Sequence, residues 1–328
     1  MQHLEERILN IKNGVEFESV ALEVFRLQSA KNAVYAGYLK LLHVDPDGVD
    51  RTGKIPFLPI ELFKTHKIIL DHHEAEVVFK SSGTTGQQPS SHHVASEKLY
   101  HQSLLKTFVS FYGKPQELCI LALLPSYLER GDSSLVYMMN HLIGLSSHPS
   151  SGFYLDNYSE LAEQLKERIA DGAPTLLLGV SFALLELSEK FPLPLSDNIT
   201  VMETGGMKGQ RGEMIREELH AILKAAFRVK DIHSEYGMTE MLSQAYAGRS
   251  GKFVPPPWMK VFTRDLYDPL TLNPPTRAGG INIIDLANLY SCSFIATGDT
   301  GTVMEDGCFE ITGRSGHSEI RGCNLMVF

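Results

Sequence analysis

The sequence predicts an α/β fold of layered sheets that passes into a small β-rich region, and three observations carry that reading. Leu118-Cys119-Ile120-Leu121-Ala122-Leu123-Leu124 is an almost uninterrupted apolar run, the pattern of a strand buried on both faces. Strand-like and helix-like stretches then alternate as far as residue 226, which argues for helices layered on a sheet. From about Lys252 the helical periodicity stops and short strand-like stretches follow. The expected division is therefore 1–254 for an α/β core with a helical N-terminus, and 255–328 for a β-rich subdomain. Pro255-Pro256-Pro257 is a plausible join.

Taken in order, residues 1–50 read as helical. Ala21, Val24, Phe25 and Leu27 space as one helix face, and Ala36, Tyr38, Leu39, Leu41 and Leu42 follow. Ile55-Pro56-Phe57-Leu58-Pro59-Ile60 is an irregular apolar crossing, because proline disfavours regular structure there. Glu76-Val77-Val78-Phe79 reads as a short strand, and Leu104, Leu105, Phe108, Phe111 and Tyr112 fall at helical spacing. Helices are expected over 161–170, 182–190 and 209–226, with strands over 175–178 and 199–203. The C-terminal strands are expected over 281–284, 293–296, 301–304 and 308–312.

At 328 residues the chain holds one large domain or two moderate ones. Its formal charge of −9 argues against a general nucleic-acid binder, which carries a basic balance. No stretch approaches the roughly 18 apolar residues of a membrane span, and the polar start Met1-Gln2-His3-Leu4-Glu5-Glu6-Arg7 has no signal-peptide core. Cys119, Cys292, Cys308 and Cys323 form no CxxC pair, so neither a disulfide framework nor a zinc site is expected. A reducing cytoplasm is the natural compartment for such a chain.

Four segments carry candidate chemistry. Lys80-Ser81-Ser82-Gly83-Thr84-Thr85-Gly86 offers clustered hydroxyls and a glycine-rich backbone, an anion nest suited to phosphate oxygens. No Gly-Lys-Ser/Thr follows, so it is not a Walker A loop. Glu203-Thr204-Gly205-Gly206 lies at a strand-to-helix turn where glycines admit a ligand and a helix N-terminus favours negative charge; a tight αβ turn is the plainer reading. In Ser234-Glu235-Tyr236-Gly237-Met238-Thr239-Glu240, the tyrosine can stack on adenine, Thr239 can donate to phosphate and Glu240 can hold Mg²⁺. A core tyrosine and a solvated glutamate are the alternative. Finally, Asp299 in Thr297-Gly298-Asp299-Thr300-Gly301 can accept both ribose hydroxyls, or the segment is a hairpin turn; Ile311-Thr312-Gly313-Arg314 follows.

In order and spacing these segments resemble the AMP-forming adenylate superfamily of acyl-CoA synthetases, luciferases and peptide-synthetase adenylation domains. The resemblance runs from about residue 79 to the last residues, and it implies the α/β fold of that superfamily's N-terminal domain. It also implies ATP and Mg²⁺. Ser81, Ser82, Gly83, Thr84, Thr85 and Gly86 would wrap the phosphates, and Gly205 and Gly206 would line the nucleotide and acyl pocket. Tyr236 and Gly237 would meet adenine, Thr239 would bind phosphate, Glu240 would bind Mg²⁺, and Asp299 with Arg314 would hold the ribose. Two departures stand out. The phosphate loop continues as Gly86-Gln87-Gln88-Pro89-Ser90-Ser91-His92-His93 without the usual Pro-Lys, which leaves His92, His93 or Lys80 as substitutes. The sequence also stops at Phe328, within the hinge region, so either the usual C-terminal domain and its lysine are absent or the chain is a fragment.

Ile55 to Lys64, Ser90 to His93 and the ending Glu319-Ile320-Arg321-Gly322-Cys323-Asn324-Leu325-Met326-Val327-Phe328 narrow the resemblance to the acyl-protein synthetase (LuxE) family of the bacterial luminescence fatty-acid reductase complex. That family implies activation of a long-chain fatty acid as acyl-AMP and transfer to a cysteine near the C-terminus, the position of Cys323. It also implies a reductase partner that takes the acyl group onward. A thiolate is a good nucleophile toward an acyl phosphate; a buried small residue is the commoner fate of a lone cysteine. Cys119, in its apolar run, reads as core. The other readings are an AMP-forming acyl- or aryl-CoA ligase, and a non-catalytic nucleotide- or acyl-binding partner.

Overall fold

The structure is a computed structural model and describes residues 1–81, 88–125, 131–205 and 214–314. The chain divides into two compact units, Met1–Val77 with Ser90–Glu97 and Val254–Phe328, and Val78–Pro89 with Lys98–Phe253. The last boundary along the chain lies between Phe253 and Val254. Residues 1–77, expected with the α/β core, group with the C-terminal strands.

The second unit is built on a parallel sheet in the order Gly152–Tyr154, Cys119–Leu123, Thr175–Val180, Ile199–Thr204, His233–Tyr236, with Ala245–Ala247 added antiparallel. Every residue of Cys119–Leu123 and Thr175–Val180 is buried, as a strand covered on both faces requires. The helices Glu97–Tyr112, Ser134–Leu145, Tyr158–Asp171, Ser181–Lys190 and Arg216–Phe227 alternate with these strands. Gly172 ends its helix in the left-handed region at φ 71°, where glycine carries no Cβ penalty. The helix expected from residue 209 begins at Arg216; Met214 and Ile215 are non-helical and 209–213 lie outside the described residues. Its buried stripe of Leu219, Leu223 and Phe227 starts only after that point.

The first unit pairs the helices Gln2–Leu9, Gly14–Lys31, Ala33–Leu41 and the short Leu62–Thr65 with an antiparallel meander. Gly14–Lys31 and Ala33–Leu41 are capped by Asn13 and Asn32, whose side chains accept from the first free backbone N–H groups. The meander runs Met259–Arg264, Gly279–Asp285, Phe294–Val303, Phe309–Arg314, with Leu58–Pro59 parallel to the third strand. Phe25, Tyr35 and Phe294 pack ring on ring at 5.8–6.1 Å. Polar groups fix the register of helix on strand. The Gln28 amide donates to the carbonyls of Asn288 and Leu289 at 3.0 Å each and accepts from Ser293 N–H at 2.9 Å. Asn32 donates to Ser291 O at 2.9 Å.

Two strand expectations need correction. The strands expected at 293–296 and 301–304 are one strand, Phe294–Val303, so the Thr297–Gly301 segment is not a hairpin turn but the middle of a ladder. The strand Met259–Arg264 was not foreseen, although its inward positions Met259, Val261 and Thr263 alternate with more exposed ones. The long strand carries a register shift between Thr300 and Gly301. A Cβ on Gly301 would lie 2.0 Å from the Glu310 carbonyl oxygen, which is backbone and cannot rotate away. Gly301→Ala is expected to destabilise the protein by about 3 kcal/mol, read as a lower urea midpoint. An unchanged midpoint would mean that the two strands separate there at little cost.

Among the described residues no helix is long and apolar enough to cross a membrane.

Candidate active site

The site of the second unit forms where two neighbouring parallel strands end. Ile199–Thr204 leads into Gly205 and His233–Tyr236 leads into Gly237, and the register sets Glu203 beside Ser234 and Thr204 beside Glu235. In an open α/β sheet the carboxyl ends of the strands are where ligands bind. Gly205 has φ +64°, a conformation that L side chains rarely adopt. Its carbonyl accepts from Ser181 Oγ at 2.6 Å, at the start of the helix Ser181–Lys190.

Side chains alternate across the sheet, so the two glutamates face opposite sides. On one side, Glu203 Oε2 lies 3.2 Å from Ser181 Oγ and Glu203 Oε1 3.5 Å from His220 Nε2, while Ser234 Oγ lies 3.4 Å from the same imidazole nitrogen. On the other, Thr204 donates its hydroxyl to Glu235 Oε2 at 2.5 Å. The second Glu235 oxygen sits against the backbone of the next turn: a Cβ on Gly237 would meet Oε1 at 2.5 Å. Burial pushes the Glu235 carboxyl up to about 7, the Glu203 charge adds to the rise and the Thr204 hydrogen bond opposes it.

Tyr236 is 9% exposed and its ring meets Phe253 at 5.6 Å. The Arg216 guanidinium covers the Phe253 ring at 4.9 Å. After Gly237 the chain turns at once, with Met241 N–H donating to Met238 O at 3.1 Å. That turn carries Thr239, half-buried, and Glu240, 6% exposed. The alternative of a solvated Glu240 therefore does not hold. Ser81 is half-buried at the end of Val77–Lys80, and Lys80 forms an ion pair with Asp132 at 3.3 Å. Ser82, Gly83, Thr84, Thr85, Gly86, Gly206 and Cys323 lie outside the described residues.

Asp299 and Arg314 belong to the first unit. They stand directly across Phe294–Val303 and Phe309–Arg314, and Arg314 Nε donates to Asp299 Oδ1 at 2.9 Å. The Asp299 side chain is buried while Arg314 reaches into solvent. Below this pair the Arg264 guanidinium donates to Ile281 O and Thr297 O, each at 2.6 Å, and to Asn282 Oδ1 at 2.8 Å. Thr297 Oγ1 in turn donates to Ile281 O and accepts from Asp299 N–H.

His92 is wholly buried and packs edge-on to Phe63 at 5.7 Å. It is a core histidine rather than a substitute for the missing lysine. Burial and the Lys67 charge push His93 below the ordinary imidazole value. Cys119 is core, as its apolar run implies, and burial pushes the Cys292 thiol up to about 12.

Mg²⁺ takes one or two protein carboxylates together with substrate phosphates. Among the described residues no group of three or more metal-ligating side chains exists. The Glu240 carboxylate, next to Thr239, is a hard oxygen donor of the type such a cation takes alongside a nucleotide.

No family model matches the chain, and no curated protein matches it. Solved structures do. A 2-hydroxyisobutyryl-CoA ligase in its postadenylation state with 2-HIB-AMP superposes with a TM-score of 0.69 at 12% identity, over 93% of this chain and 69% of that one. The chain has the fold of the adenylate-forming ligases. ATP-bound MatB from Rhodopseudomonas palustris shares this adenylate-forming fold at a TM-score of 0.55 and 18% identity, over 75% and 49% of the two chains. The O-succinylbenzoate coenzyme A synthetase from Bacillus subtilis with AMP gives 0.51 and 16%, over 76% and 64%. The chain spans about half the length of the MatB structures, 47–49%.

Sequence reading gave Glu203 and Glu235 no role, although both stand in quoted motifs, and missed Ser181 and His220 beside Glu203; in the first unit it missed Arg264. One signal was present: two glutamates at corresponding ends of adjacent strands, in positions that burial elsewhere reserves for apolar side chains.

Proposed function

We propose that the protein is an ATP-dependent ligase that activates a carboxylic acid as its acyl-adenylate. The observation that carries this reading is the placement of Gly205 and of Tyr236-Gly237-Met238-Thr239-Glu240 at the adjoining carboxyl ends of two parallel strands, on an adenylate-forming fold. In the reaction a carboxylate oxygen of the acid attacks the α-phosphorus of ATP. The bond from that phosphorus to the bridging oxygen breaks, and pyrophosphate leaves. Thr239 and the hydroxyls of the Ser81–Gly86 segment would donate to the phosphate oxygens, where charge develops. Glu240 would hold Mg²⁺, which supplies positive charge to the same oxygens when bound.

We extend the reading to a long-chain fatty acid as substrate and to Cys323 as acceptor, with a reductase as the partner that removes the acyl group. The resemblance of the N-terminal segment Ile55 to Lys64 and of the ending around Cys323 supports this. The thiolate attacks the acyl carbonyl, the C–O bond to AMP breaks, AMP departs, and the thiol proton passes to solvent. The CoA thiol is the competing acceptor, favoured by the CoA ligases among the structural neighbours.

The test is incubation of the purified protein with ATP, Mg²⁺ and an alkyne-tagged long-chain fatty acid. Pyrophosphate release dependent on the acid, with covalent label removed by neutral hydroxylamine, is the expected result. Release without label, converted to acyl-CoA when CoA is added, would replace Cys323 by CoA. Nucleotide binding with no release for any acid would reduce the protein to a binding partner.

A further inference from the structure

The Glu235 carboxyl touches both turns of the candidate site, and no role is assigned to it in the motif that contains it. Its Oε2 accepts from Thr204, the residue before Gly205. Its Oε1 occupies the space where any side chain at position 237 would begin, so Gly237 presents bare backbone on the exposed side. We propose that Glu235 is a positioning residue for the nucleotide, bracing the Gly205 turn and the Tyr236–Gly237 turn against each other from beneath the sheet.

The surroundings indicate which form of the carboxyl does this. Tyr246 lies directly across from Glu235 on the antiparallel neighbour strand, and its buried hydroxyl has no hydrogen-bond partner. The Glu235 charge acts on Tyr100 and Tyr112 of the helix Glu97–Tyr112, and Glu203 acts on Glu235 from the adjacent strand. Burial raises all three tyrosines above the ordinary phenol range, so they stay neutral and supply no countercharge. Glu203 is the same sign as an ionised Glu235. The Thr204 bond survives in either form, and ionisation adds a second negative charge, beside that of Glu203, next to two turns proposed to hold the nucleotide. The sign follows: with a value raised to about 7, the favourable form predominates below neutral pH and is lost as pH rises through that value.

This inference rests on the nucleotide-binding reading, and its test separates the two. ATP affinity is measured with Mg²⁺ from pH 5.5 to 8.5 for the wild type, Glu235→Gln and Glu235→Ala, with thermal melts to confirm folding. Glutamine keeps the shape and the acceptor oxygen but cannot ionise. The wild type is expected to weaken by about tenfold relative to E235Q between the two ends of the range; the titration of ATP itself is common to both and cancels in the ratio. E235A is expected to bind about tenfold more weakly at every pH, with the rate of pyrophosphate release at saturating ATP nearly unchanged. Should E235A fail to fold, the ratio of wild type to E235Q decides alone. Parallel profiles for wild type and E235Q would overturn the proposal and leave the nucleotide site intact. A wild type that binds no ATP at any pH would remove both.

Discussion

Glu240→Gln is expected to lower acid-dependent pyrophosphate release by at least about a hundredfold, the cost of removing one charge-stabilising contact at a phosphoryl-type centre. The side chain is 6% exposed and anchored on the turn that follows Gly237, so glutamine fits its space and folding is preserved. What glutamine lacks is the anionic oxygen that a hard divalent cation prefers. Part of the lost rate should therefore return as Mg²⁺ is raised, which loss of folding would not allow. A variant with wild-type rate at limiting Mg²⁺ would take Glu240 out of the metal role.

Cys323→Ser separates the two half-reactions that Glu240→Gln slows together. Hydroxylamine-sensitive label should disappear, while the first turnover still releases pyrophosphate, because the adenylation step does not use the thiol. The other cysteines explain why one substitution suffices. Cys119 and Cys292 are 1% and 0% exposed, and burial raises both thiols so that little thiolate is present. Cys308 is half-buried, and Cys308→Ser is the control expected to keep its label. Label that survives Cys323→Ser and disappears with Cys308→Ser would move the acceptor to that residue.

How far the molecule was legible from its sequence depended on where each side chain finds its partner. Cys119–Leu123 and Thr175–Val180 announce themselves because a strand covered on both faces must be apolar throughout. Phe294–Val303 hid because its buried positions include Thr297, Asp299 and Gly301. A polar inward face looks like a turn to any reading based on hydropathy. Tyr236, Thr239 and Glu240 stand out in the sequence because their residue types match a chemistry at fixed spacing. Glu235 escaped because its meaning lies in Thr204, on another strand, and in the absence of a side chain at Gly237. Arg264 escaped for the same reason: the carbonyls it holds belong to residues 281 and 297.

The attachment of Gln28 and Asn32 to residues 288–293 sets an order on biosynthesis. About 260 residues separate these partners in the chain, so the N-terminal helices leave the ribosome long before the strands that complete their unit exist. Residues 98–253 are contiguous and are free to fold in the interval. The early helices must wait with Phe25 and Tyr35 uncovered until Phe294 arrives. Nascent chains arrested before that point should therefore be the stage at which this protein most depends on chaperones.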